Sequence, residues 1–165
     1  LDDIDVSLIP VDSTAPTISS SSPADDATAV ATTSNIVLNF SEAVDVETGN
    51  IVIYKASDDS VVETIDVTSS KVTGTGSTQI TINPGSDLAE STSYYVQIAA
   101  TAFDDPSSNS YAGIANKTSL SFTTADETAA QITGSSGSAG DATSAKSIKE
   151  NITSVHGFTA NESVT

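Results

Sequence analysis

The stretch NIVLNFS, Asn35–Ser41, places Ile36, Leu38 and Phe40 on one side of an extended chain and Val37 and Asn39 on the other. A strict two-residue period is the mark of a half-buried β-strand, because successive side chains of a pleated chain point to opposite faces. The same period recurs outward from this point. In STSYYVQIAAT, Tyr94, Val96, Ile98 and Ala100 share a face opposite Tyr95 and Gln97. TQITINP offers Ile80 and Ile82, and TSLSFTT offers Leu120 and Phe122.

Clusters of turn formers separate these runs: SPADDAT, ETGN, ASDDS, GTGS, NPGSD and DDPSSNS. NIVIYKA and SVVETIDV, on either side of SDD, predict a β-hairpin, and GTGS predicts the turn of another. The helical period of 3.6 is nowhere sustained, and DLAEST, Asp87–Thr92, is the best candidate for a single helical turn. About seven short strands with frequent turns predict an all-β, antiparallel Ig-like β-sandwich. Leu88 six residues before Tyr94, with Tyr94 opening a strand after a turn, fits a tyrosine corner, so Tyr94 is expected to be structural and Tyr95 to face outward.

Composition narrows the function. Of 165 residues, 22 are Asp or Glu and five are Lys or Arg, a formal charge of −17 that repels nucleic acid and anionic membranes. Cysteine is absent, which excludes disulfides, thiolate catalysis and Cys-ligated metals. No basic leader followed by an apolar core opens the sequence, and no apolar run reaches the roughly 18 residues of a membrane helix. This fragment is therefore expected to carry neither signal nor anchor.

A phrase occurs twice. DSTAPTI, Asp12–Ile18, returns as DETAAQI, Asp126–Ile132, and the alternating IDVSLIPVD before the first copy lies over TSLSFTTAD before the second. The two aspartates are 114 residues apart, the size of a β-sandwich domain of about 100 residues. The repeat predicts three pieces: residues 1–11 as the last strand of a preceding β domain, 12–125 as a complete sandwich, and 126–165 as the start of another module.

The ordered motifs TAPTISSSSPADDATAVATTSNIVLNFSEAVD, ITINPGSDLAESTSYYVQI, DDPSSNSYAGI and SLSFTTAD resemble the bacterial Ig-like domains of S-layer and large surface proteins. The resemblance implies an extracellular, serially repeated module with no enzymatic activity of its own, in a protein of adhesin, stalk or S-layer type. It implies as partners the neighbouring domains of the same chain, further copies at the cell surface, or a carbohydrate or protein receptor. In the family the DDPSSN loop often carries Gly where Ser108 stands, and this departure predicts a loop of different shape. SAKSIKENITSVHGFTANESVT resembles the opening of a cadherin-like domain. By that resemblance Glu150 takes the position of a calcium-binding Glu and Asp126 that of an acidic linker, although TANES departs from the usual acidic pattern.

Calcium takes six to eight oxygen ligands, which loops supply more readily than strands. Three acidic loci offer them: Asp12, preceded by Asp2, Asp3 and Asp5; Asp104, Asp105 and Asn109; and Asp126 with Glu127 and Glu150. Glu42 ends a core strand and is expected to reach a junction at the same pole. At each locus a solvated turn or an Asx-turn is the alternative. Catalysis finds little footing. His156 is the only histidine, no G-x-S-x-G elbow occurs, GTGS lacks the lysine of a phosphate loop, and the consecutive Asp58 and Asp59 do not suit a glycosidase pair. A sugar platform would draw on Tyr54, Tyr95 and Tyr111. The expected function is a rigid, calcium-stiffened spacer; the alternatives are a recognition module or an accessory domain of a secreted hydrolase.

Overall fold

Strand β3, Ile36–Val46, is the longest of the described elements and organises the first of two sheets. Its alternation is realised, with Ile36, Leu38 and Phe40 buried and Val37 and Asn39 half-covered on the opposite side. A computed structural model describes residues 11–128, and the readings that fall on residues 1–10 and 129–165, including Asp2, Asp3, Asp5, Glu150 and His156, lie outside the described residues.

The first sheet has the order β1(Ile18–Ser22), β3, β7(Ser77–Ile82), β6(Val72–Thr73), with β9(Phe103–Asp104) pairing β3. The second runs β2(Ala27–Val30), β10(Ser121–Thr124), β8(Ser93–Ile98), β4(Asn50–Lys55), β5(Val61–Asp66). The pairs are antiparallel except β2 with β10, which run parallel. The chain is thus an all-β sandwich, with a first edge segment that pairs β3 as β1 and then crosses to the other sheet as β2. Among the described residues ten strand segments replace the expected seven or so because β6 and β9 are two residues each and the edge is split.

The core lies between the sheets. Leu38, Ile80, Ile82 and Val44 from the first face Ile51, Ile53, Ile65, Val96 and Phe122 from the second. The β4–β5 hairpin forms across residues 56–60, where the Lys55 amide bonds the Ser60 carbonyl and the Asp59 amide bonds the Lys55 carbonyl. GTGS turns β6 into β7 with Gly74 at φ 106°, where a Cβ would stand 2.0 Å from the Gln79 carbonyl oxygen, so no other residue fits. Ala100 departs from expectation: β8 ends at Ile98, and Ala100 lies exposed beyond it.

DLAEST is not helical. Among the described residues there is no helix, and this segment turns through Ser91 at φ 48°, a conformation that ends any helical run. Its amide hydrogen bonds go elsewhere, from Leu88 N to the Thr32 carbonyl and from Ala89 N to the Tyr94 hydroxyl at 2.9 Å. The second bond is the expected tyrosine corner. Tyr94→Phe removes the acceptor of a part-buried amide and lowers stability by about 1–2 kcal/mol, measurable by urea unfolding with an unchanged m-value.

The registers fix where the chain enters and leaves. β1 starts opposite Phe40 and ends opposite Val37, so residues 12–17 run beside the C-terminal half of β3. Near the end of β10 Thr123 faces Ser93, the first residue of β8, and the chain beyond β10 meets the end of β2, where Ala125 N bonds the Val30 carbonyl. Asp12 and Glu127 therefore occupy opposite poles of the sandwich.

Candidate metal centre at the N-terminal pole

Three elements converge beside Asp12. β3 runs past it, and the register between β3 and β7 is interrupted from Asn39 to Val44, an irregularity that contains Glu42. Such interruptions bend a strand and re-aim a side chain, and here the Glu42 carboxylate turns toward the pole. β9 pairs with the end of β3, Val46 against Phe103 and Asp45 against Asp104, and leads directly into Asp105. Asp12, Glu42 and Asp105 each place a carboxylate oxygen within 4.8 Å of the other two. Two ligands on opposite sides of a calcium ion at about 2.4 Å are separated by about that distance, so the spacing suits one shared cation.

The loop after β9 is built around Asp105, which is 3% exposed. Its Oδ1 accepts the amides of Ser107 at 2.8 Å and Asn109 at 2.7 Å, and its Oδ2 accepts Asn109 Nδ2 at 2.8 Å. The same Nδ2 donates to the Asp12 carbonyl oxygen at 3.1 Å, tying the incoming chain to the loop. These donors, the Asn109 side chain foremost, hold the Asp105 carboxyl below the usual aspartate range. Glu42 moves the other way: lost hydration raises its pKa, and the charges of Asp12 and Asp105 raise it further. Asp12 Oδ1 accepts the Thr14 amide at 2.9 Å in an Asx-turn.

Ser108 sits in the left-handed region at φ 66°. The bonds converging on Asp105, together with Ser108 N to the Asp105 carbonyl and Asp105 N to the Asn109 carbonyl, dictate that conformation, and serine bears the strain. Ser108→Gly should raise stability by about 0.5 kcal/mol, the relief of strain being partly offset by the freer unfolded chain; differential scanning calorimetry measures it.

The remaining candidates separate. Asp104 pairs with Asp45 of β3 and is not a member of the triad. Asn109 turns its amide hydrogens toward Asp105 and Asp12, so it organises the loop as a donor. Glu127 is at the other pole, where its carboxylate accepts the Thr32 amide at 3.1 Å and the Thr32 hydroxyl at 2.9 Å, beside Asp126 in the chain.

The tyrosines do not form an exposed platform. Tyr111 is 7% exposed and packs edge-on against Phe40 in the core, where burial pushes its hydroxyl up to about pKa 12. Tyr95 does leave the core side of β8, yet it is only 3% exposed. It stacks on Tyr54 at 4.8 Å, lies under the Lys117 ammonium, and donates its hydroxyl to Asp59 at 3.1 Å. The contact with Lys117 joins residues distant in sequence, and no local pattern announces it.

A search of curated proteins found no match. Among solved structures the chain is similar to the S-layer protein rSbsC, with 15% identity and a TM-score of 0.45, over 68% of this chain and 14% of that one. Residues 12–124 match the model of the bacterial Ig-like domain, and the chain belongs to that family.

Proposed function

We propose that this bacterial Ig-like domain is a non-catalytic module of a large extracellular surface protein, of adhesin, stalk or S-layer type, and that it acts as a rigid spacer stiffened by calcium at its N-terminal pole. The observation that carries the proposal is the placement of the chain ends. Asp12 and Glu127 leave the sandwich at opposite poles, the arrangement that lets modules follow one another in series and adds the length of each to the whole. Each end is fastened by a side chain distant in sequence, Asn109 to Asp12 and Glu127 to Thr32.

Calcium fits the N-terminal pole by donor chemistry. Asp12, Glu42 and Asp105 would supply hard oxygen ligands, and a divalent cation would offset the mutual repulsion that three neighbouring carboxylates otherwise impose. Glu42 connects to a core strand, Asp105 to the loop after β9, and Asp12 to the linker. An ion held by all three would remove rotational freedom from the residues that lead into the domain. The partners in this account are the neighbouring domains of the same chain and further copies at the surface. Tyr95 and Tyr111, two of the three tyrosines a sugar platform would draw on, are buried, which favours the spacer.

Thermal unfolding of the full chain in calcium, in equal magnesium and in excess chelator tests the proposal. Binding to the native state at 100 times Kd adds about 2.7 kcal/mol, a midpoint shift on the order of 10 °C for calcium alone. Coincident curves in the three conditions would refute the calcium part.

A further inference from the structure

We propose that Asn116 is an acceptor for an N-linked glycan. Asn116-Lys117-Thr118 is one of four N-x-S/T triplets in the sequence; Asn39-Phe40-Ser41 lies inside strand β3 with Phe40 buried and Asn39 Nδ2 donated to Ser20, and those at Asn151 and Asn161 lie outside the described residues. Residues 115–119 are all exposed, between buried anchors at Ile114 and Leu120. The base of this loop is held by the Ile98–Ile114 bridge and by Gln97 Nε2, which donates to the Ala115 carbonyl at 2.7 Å. The triplet thus protrudes from a fixed base, where a transferase can reach it in the folded protein.

The local geometry suits the chemistry. Asn116 Oδ1 accepts the Thr118 amide at 2.9 Å and the Thr118 hydroxyl at 3.3 Å, and Nδ2 makes no hydrogen bond among the described residues. Hydrogen bonds to the oxygen draw charge onto it and acidify the Nδ2–H bond, and the hydroxyl two residues on supplies one of them. Asp58 with Ser60 and Asp66 with Thr68 adopt the same turn, but their carboxylates have no nitrogen to offer. Asn39 and Asn109 have nitrogens, and these are engaged with Ser20 and with Asp105. In the transfer, Nδ2 of Asn116 bonds to the anomeric carbon of a polyprenyl-diphosphate-linked oligosaccharide. The carbon–oxygen bond to diphosphate breaks, the diphosphate departs with the electron pair, and the amide proton passes to a base of the transferase.

This inference rests only on the extracellular part of the proposed function and is independent of calcium. The folded full chain is incubated with a polyprenyl-diphosphate oligosaccharide and an oligosaccharyltransferase that reads the triplet alone, since Ile114 occupies the place two residues upstream. Intact mass and glycopeptide mass spectrometry are the readouts. The expected result is one glycan on Asn116, absent in Asn116→Gln, reduced at least tenfold in Thr118→Val and retained in Thr118→Ser, with all variants melting as the parent does. No glycan at Asn116, glycan there only after unfolding, glycan confined to Asn151 and Asn161, or undiminished transfer in Thr118→Val would each overturn it. Calcium-dependent melting, measured separately, keeps this outcome distinct from the fate of the spacer proposal.

Discussion

Phe103→Ala should destabilise the domain by about 4 kcal/mol, the range for emptying a fully buried aromatic site, and lower its thermal midpoint by roughly 15 °C. Phe103 is 0% exposed. Its ring meets Phe40 at 5.4 Å with an interplanar angle of 62°, and Tyr111 at 6.5 Å. Phe40 and Tyr111 also meet edge-on, so removing Phe103 takes away two contacts of a three-ring cluster and opens a cavity the backbone cannot close. Because β9 carries Phe103 and continues into Asp105, the damage extends to the acidic pole, and the variant should also lose any response to calcium. Phe103→Leu, which keeps most of the volume, should cost about 1–1.5 kcal/mol and leave that response intact. Urea unfolding gives the first quantity and melting in calcium against chelator gives the second.

Glu42 and Asp105 should respond to mutation and to acid in opposite senses. The native pKa of Glu42 is raised, so between the ordinary glutamate value and its native value the folded state binds more protons than the unfolded one. Stability therefore falls as pH rises through that window, and at neutral pH Glu42 opposes folding when no cation is present. The native pKa of Asp105 is lowered, so its contribution is complete above the ordinary aspartate value and is lost as pH falls through its native value. In chelator, the midpoint should first rise on acidification from neutral pH and then fall. Glu42→Gln should melt no lower than the parent in chelator, lack the first rise, and show no calcium stabilisation. Asp105→Asn keeps an oxygen for Ser107 N and Asn109 N but sets an amide NH2 against Asn109 Nδ2, two donors face to face. It should lower the neutral-pH midpoint on the order of 10 °C even in chelator. Equal losses in the two variants would mean that the triad is only a structural hydrogen-bond network.

The sandwich was legible wherever one strand face meets the core. Ile36, Leu38 and Phe40, and likewise Tyr94, Val96 and Ile98, announce their burial by alternation, and the spacing of Leu88 and Tyr94 announces the corner. What escaped depends on chain partners far away in sequence. Alternation correctly sends Tyr95 away from the core, yet Tyr54 from the neighbouring strand and Lys117 from a loop cover it there. β9 is too short to carry a pattern, so its pairing with β3, which sets Asp104 opposite Asp45 and aims Asp105 elsewhere, has no sequence signature. The convergence of Glu42 with Asp12 and Asp105 depends on that pairing and on the interrupted register of β3. DLAEST has helical composition, but the hydrogen bond from Ala89 to Tyr94 diverts its backbone.

The most direct test of a calcium-stiffened spacer is a calcium titration of the isotope-labelled full chain followed by amide chemical shifts. Saturable changes concentrated at Asp12–Thr14, Ser41–Ala43 and Asp104–Asn109, absent with magnesium and absent in Glu42→Gln, are the predicted result. No saturable change at these residues would contradict it.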